Sequence, residues 1–122
     1  MNFEKIFKNK KIIVTGHTGF KGSWLTLWLT KLGANVLGIS KDIPTKPSHF
    51  DSLNLKKKIK HKQININNYN EIAKIFKEFQ PSFVFHLAAQ SLVSKSYEEP
   101  IETFHTNSIG TLNILESLKE IK

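Results

Sequence analysis

"KIIVTGHTGFKGSWLTLWLTKLGANVLGIS", residues 11–40, sets Gly16, Gly19 and Gly22 three apart between a β-branched run and a helical run. Lys11–Thr15 is short, apolar and ends at a glycine, the pattern of a buried strand. Phe20–Leu32 carries Leu25, Leu29 and Leu32 on one helical face, and Gly33 supplies a C-terminal stop. Asn35–Ile39 is a second strand. Half of the chain's six glycines therefore crowd into one turn. Gly16 lets the chain turn sharply out of the first strand. Gly19, with no Cβ, lets backbone N–H groups at a helix N-terminus approach a pyrophosphate. Gly22, one helical turn later, lets the helix pack close to the sheet. A strand, a glycine turn and a helix inside a βαβ unit form the context in which this spacing marks a dinucleotide site. His17, Thr18, Phe20 and Lys21 join the three glycines as candidate cofactor-binding residues.

Outward from that unit the pattern repeats. "DIPTKPS" is a turn-rich loop, followed by a short helix with Ser48 and Asp51 in capping positions. Gln63–Ile66 reads as the third strand. Asn68 and Glu71 have cap spacing for a helix through Phe79, with Ile72, Ile75, Phe76 and Phe79 on its apolar face and Pro81 after it. Ser82–Leu87 is a fourth buried strand. A last helix starts near Pro100 and runs to about Ile121, with Ile101, Phe104, Ile109, Leu112, Leu115 and Leu118 as its apolar face. Strands that read as continuous apolar runs and alternate with helices predict a parallel sheet covered on both faces. With right-handed crossovers this is an α/β, Rossmann-like fold: the N-terminal half of a doubly wound sheet, four strands in the order 3-2-1-4.

A dinucleotide site also needs an acid near the end of strand two to bind ribose hydroxyls. Asp42 stands there, flanked by Lys41 and Lys46. A lysine would suit a 2′-phosphate, but the carboxylate repels one, which favours NAD over NADP. Asn65, with Ile66, is placed at the end of strand three to meet the adenine edge. Leu87, Ala88, Ala89 and Gln90 leave room for cofactor beyond strand four. Asn107 sits mid-helix, where asparagine is a poor helix former, and is a candidate to bond backbone near the site.

Composition narrows the function classes. The net charge is +8, yet all eighteen basic residues are lysine. Nucleic-acid readers usually carry arginine, whose planar fork pairs bidentately with phosphate and guanine. The densest cluster, "LKKKIKHK" at residues 55–62, lacks interleaved aromatics for base stacking and reads as a solvated face. With no cysteine, disulfides and thiolate metal sites are excluded. No other metal-ligand pattern stands out. The start lacks the apolar core of a signal peptide, and no apolar stretch approaches the ~20 residues of a membrane span. A cytoplasmic protein with no nucleic-acid or membrane partner is expected.

With these residues in hand, the chain resembles the N-terminal part of an extended short-chain dehydrogenase/reductase. The glycine turn, "HLAAQ" at 86–90 and "TNSIGTLNILE" at 106–116 carry the resemblance. Within that family, "VTGHTGFKGSWL" at 14–25, "IPTKPSHF" at 43–50 and "HLAAQSLVSKSYEEPIETF" at 86–104 are most similar to CDP-glucose 4,6-dehydratases. Three departures stand out. Many members place an acid at the last residue of strand two, which here is Ser40. Asn65 replaces a common aspartate. The catalytic Tyr-x-x-x-Lys is absent: Tyr69 and Tyr97 are followed by "NEIA" and "EEPI".

The resemblance implies a lyase that uses bound NAD reversibly. Hydride leaves sugar C4, water is eliminated across C5 and C6, and hydride returns at C6, giving CDP-4-keto-6-deoxyglucose for deoxysugar and O-antigen synthesis. The base would be the absent tyrosine, so no catalytic residue is assigned here. Residues 1–122 are expected to be the dinucleotide-binding part of a homo-oligomeric enzyme, inactive alone, with strand five and the substrate domain elsewhere. A GDP-mannose-type dehydratase, a sugar-nucleotide epimerase and a non-catalytic dinucleotide-binding module remain open alternatives.

Overall fold

The computed structural model describes residues 2–122. Four strands form one parallel sheet in the order β3-β2-β1-β4: β1 (Lys11–Thr15), β2 (Asn35–Ser40), β3 (Lys60–Gln63) and β4 (Phe83–His86). Among the described residues, seven α-helices accompany them: α1 (Phe3–Phe7), α2 (Phe20–Lys31), α3 (His49–Ser52), α4 (Tyr69–Phe79), α5 (Val93–Glu98), α6 (Pro100–Phe104) and α7 (Gly110–Ser117). Successive side chains of a strand point to opposite faces, so β1 feeds two cores. Ile13, with Leu37 and Ile39, packs under Ile72, Ile75, Phe76 and Phe79 of α4 and Ile114 of α7. Ile12 and Val14, with Val36, pack under Phe7 of α1 and Leu29 of α2. Each of these large side chains contributes about 1.5–3 kcal/mol by leaving water.

The predicted caps form. Ser48 Oγ accepts from Asp51 N at 3.0 Å at the start of α3, and Asn68 Oδ1 accepts from Glu71 N at 3.3 Å at the start of α4. Gly33, at φ +78°, ends the turn after α2. Three expectations need correction. The third strand is not Gln63–Ile66 but Lys60–Gln63, inside the lysine cluster. It lies at the sheet's edge, where exposed lysines discourage pairing with another chain, so its pattern is polar. Ile64, Asn65 and Ile66 instead leave the sheet, and Ile66 is buried beneath α7. The last helix is unbroken along the chain but contains a π-helical turn, His105–Ile109, and ends in a 3-10 turn. Its buried residues are Gly110, Ile114 and Ser117, whereas Ile101, Phe104, Leu112 and Leu115 are all more than half exposed. The richest apolar face of that helix is thus not the one that meets the sheet. Finally, α1 and α5 were not anticipated, although Asn2 caps α1 and Phe3 and Phe7 stack at i, i+4 spacing.

Candidate dinucleotide site

The loops after all four strands enclose a cleft of about 750 Å³ at the C-terminal edge of the sheet. It lies where the chain reverses its winding, β1 being flanked by β2 on one side and β4 on the other, the usual ligand position in such sheets. Of the expected site residues, Gly16, Thr18, Gly19, Phe20, Lys21, Gly22, Asp42, Asn65, Ile66, Leu87, Ala88, Ala89 and Gln90 line it. The side chains of His17 and Asn107 stand outside it.

The three glycines do different things. Gly16 has φ +71°, and a Cβ there would sit 2.7 Å from Ala88 N, so the turn presses directly on the loop after β4. A Cβ on Gly22 would lie 2.0 Å from the Gly16 carbonyl oxygen. Gly22 therefore lets α2 pack on the turn itself, rather than on the sheet as its spacing suggested. Gly19 has φ −73°, and a Cβ there would meet only Gly16 O, at 3.4 Å. Its open side belongs to the cleft. No side chain caps α2, so its first-turn N–H groups have neither an intrahelical nor a side-chain acceptor. These are the donors an anion at a helix N-terminus would meet.

Thr18 ties this turn to the end of β2. Its hydroxyl donates to the Asp42 carbonyl at 2.7 Å and lies 2.6 Å from Ser40 Oγ, which reaches the same carbonyl at 3.1 Å. That grip fixes the backbone of Asp42 while its carboxylate stays exposed at the cleft mouth. Ser40, the last residue of β2, serves as a hydroxyl strut. Asn65 folds back on its own chain, Oδ1 accepting from Asn67 N at 3.0 Å.

His17 points into the interior. Gly38 of β2 leaves room for its ring, since a Cβ there would be 2.3 Å from His17 Cδ2. The ring's Nε2 lies 2.7 Å from His61 Nδ1 on β3, the strand residue beside Gly38, and Phe50 packs edge-on against it. Burial pushes the His17 pKa down to about 4, and His61 is also lowered, first by burial and then by Lys56. His17 thus braces the glycine turn from behind.

A second network, not visible in the sequence, fixes the opposite wall. Thr15 Oγ1 accepts from the N–H groups of Leu87 and Ala88 at 3.1 and 3.2 Å and lies 2.6 Å from His86 Nδ1. His86 Nε2 is 3.0 Å from Thr111 Oγ1, and that hydroxyl donates to Asn107 O at 2.7 Å. With the Thr111 proton so committed, its oxygen accepts, which assigns the proton of a neutral His86 to Nε2 and makes Nδ1 the acceptor for Thr15. Burial lowers the His86 pKa and favours that neutral ring. Asn107 closes the wall by receiving Gln90 N–H at 2.8 Å and donating to Gln90 O at 3.0 Å. It sits in the π-helical turn, a feature frequent at functional sites. Its expected backbone bond is present, reached from outside the cleft.

Among the described residues there is no metal-ligand cluster, and no helix is long and apolar enough to cross a membrane. Comparison with known proteins places this geometry. CDP-glucose 4,6-dehydratase of Salmonella typhimurium is 46% identical over 118 residues, which is 97% of this chain and 33% of that protein. An epimerase of Methanothermobacter thermautotrophicus superposes with a TM-score of 0.83 at 30% identity, over 97% of this chain and 34% of the other. UDP-glucose 4-epimerase of Thermus thermophilus, solved with NAD, superposes with a TM-score of 0.78 at 30% identity, over 90% of this chain and 34% of the other. The chain spans about a third of the length of the curated relatives it matches. Residues 13–122 match the family model described as GDP-mannose 4,6 dehydratase, and the chain, with its parallel sheet and glycine-lined cleft, belongs to that family.

Proposed function

We propose that residues 1–122 are the N-terminal, NAD-binding part of a sugar-nucleotide 4,6-dehydratase acting on CDP-glucose. The observation that carries this is the opening beside Gly19, which lines the cleft and where a Cβ would meet only Gly16 O, at 3.4 Å. The uncapped N–H groups of Phe20, Lys21 and Gly22, at the start of α2, would bind the pyrophosphate there. The Asp42 carboxylate at the end of β2 would accept hydroxyls of the adenosine ribose, with Asn65 and Ile66 against the adenine. Leu87 to Gln90 would form the wall along which the dinucleotide extends, held by the Thr15–His86–Thr111 and Asn107 contacts.

Bound NAD would supply reversible hydride transfer at the sugar. The chain's own residues bind and orient it. They contain no Tyr-x-x-x-Lys, so the base for the sugar C4 hydroxyl belongs to another part of the whole protein. The choice of CDP-glucose over other sugar nucleotides rests on the 46% identity to the Salmonella enzyme and on the family resemblance of the His17–Trp24 string. The apolar residues exposed along α6 and α7 support a homo-oligomer. The test is to incubate the whole protein with CDP-glucose and NAD and follow the absorbance of the 4-keto product. Turnover of CDP-glucose well above that of GDP-mannose is expected. Preference for GDP-mannose, or epimerisation without dehydration, would overturn the substrate assignment.

A further inference from the structure

Two of the three lysines that line the cleft, Lys41 and Lys95, are held in ion pairs. Lys41 immediately precedes Asp42, and its Nζ lies 3.7 Å from Glu102 Oε1, which reaches it from α6 across the mouth of the cleft. Lys95 of α5 is engaged in the same way, 3.3 Å from Glu99. Lys41, Lys95 and Glu102 all line the cleft. Glu102 is itself held, since Thr106 Oγ1 donates to the same Oε1 at 3.3 Å. The backbone at Asp42 is fixed by Thr18 and Ser40, so Lys41 is anchored at its base.

This arrangement matters for the choice between two dinucleotides that differ only by a 2′-phosphate on the adenosine ribose. A lysine adjoining the ribose-binding acid is the cation that phosphate would seek, just as a nearby arginine accommodates it in other doubly wound folds. We propose that Glu102 is a specificity-determining residue, selecting NAD over NADP by drawing Lys41 away from the 2′ position. The proposal rests on the NAD reading above. The ion pair need not be strong for this. An exposed pair adds little to stability, but specificity is a difference between two affinities, and Glu102 acts on only one of them. NAD offers nothing for Lys41 to neutralise at the 2′ position. NADP offers a near-dianion that meets Asp42 and an occupied lysine.

The test is a double-mutant cycle in the whole protein, with NAD and NADP dissociation constants measured by calorimetry at one fixed, low salt concentration. Glu102→Gln should lower the ratio of the NADP constant to the NAD constant about tenfold. Lys41→Ala in the wild-type background should change that ratio little, because the lysine is already engaged. Lys41→Ala added to Glu102→Gln should erase the gain. An unchanged ratio in Glu102→Gln overturns the proposal, and so does a gain that survives the loss of Lys41. Both variants lie on exposed side chains, so folding is retained and can be checked by melting. If the wild type binds neither dinucleotide, the cofactor reading fails and takes the proposal with it. If it binds NAD and the ratio does not move, only the proposal fails.

Discussion

Replacing Gly22 and Gly19 by alanine, one at a time, should separate the fold from the site. At Gly22 the new Cβ would stand 2.0 Å from Gly16 O, about 1.4 Å short of the 3.4 Å at which ordinary contact begins. It would also stand 2.8 Å from Gly16 C and 2.9 Å from His17 Cα, so every obstacle is backbone. No rotamer change relieves this, and α2 must retreat from the turn. Overpacking of this kind costs about 1–3 kcal/mol, and the upper end applies where backbone must move. The better helix propensity of alanine returns up to about 1 kcal/mol, leaving a net loss near 2 kcal/mol. For a chain of this size that lowers Tm by roughly 5–10 °C. Gly19→Ala should behave differently. Its φ of −73° suits any residue and its Cβ meets only Gly16 O at 3.4 Å, so its melt should stay within about 3 °C of wild type. The methyl would nevertheless project toward the pyrophosphate, and NAD affinity should fall at least about tenfold. The assay is a thermal melt of both variants without cofactor, followed by NAD titration. Equal destabilisation of the two, or a Gly22→Ala protein that melts like wild type, would refute the packing argument. Undiminished NAD affinity in Gly19→Ala would refute the cradle.

Two further outcomes follow from the braces on either side of the cleft. Because the folded chain holds the His17 pKa near 4 while its ordinary value is 6.5, the unfolded chain binds a proton the folded one refuses. Stability should therefore fall as pH drops from about 6.5 toward 4, by at most roughly 3 kcal/mol from this group, and His17→Leu should flatten that part of a melt-versus-pH curve. A wild-type curve that is flat over this window, or a variant as steep as wild type, contradicts the buried neutral assignment. On the other wall, Asn107→Ala removes both hydrogen bonds to Gln90 and should weaken NAD several-fold with only a small change in Tm. Asn107→Asp, which keeps the acceptor for Gln90 N–H, should lie between; NAD affinity identical in all three proteins would show the clamp is irrelevant to the cleft.

Sequence reasoning succeeded where one physical requirement dominated. β1, β2 and α4 were legible because a buried strand must be apolar, a surface helix must keep an apolar stripe, and caps have few substitutes; α2 was legible from the glycines that bound it, since its buried face is Gly22, Ser23, Thr26 and Leu29. It failed where two requirements compete. β3 is an edge strand whose lysines resist aberrant pairing, so its signal was polar, while the apolar run at Ile64–Ile66 belongs to a segment entering the core from outside the sheet. The last helix misled for a related reason: its close packing on Ile66 needs Gly110, where a Cβ would stand 2.6 Å from Ile66 Cδ1, and a glycine carries no hydrophobic signal. Within the cleft, the glycines, Thr18, Asp42 and the Leu87–Gln90 wall stand together as their spacing suggested. His17 was misassigned to the cleft because nothing in the turn alone shows that Gly38, more than twenty residues on, makes room for its ring. The Thr15–His86–Thr111 relay was invisible, since it joins three segments that only the β1–β4 register brings together. The one available signal was a histidine inside an otherwise apolar strand.

Titration of NAD and NADP into the whole protein, wild type and Asp42→Ala, measures the central claim directly. Wild type should bind NAD more tightly than NADP, and Asp42→Ala should weaken NAD about tenfold, near 1.4 kcal/mol, while narrowing the gap between the two dinucleotides. Tighter binding of NADP by the wild type, or NAD affinity indifferent to the loss of Asp42, would contradict the assignment of this cleft as an NAD site with Asp42 at the ribose.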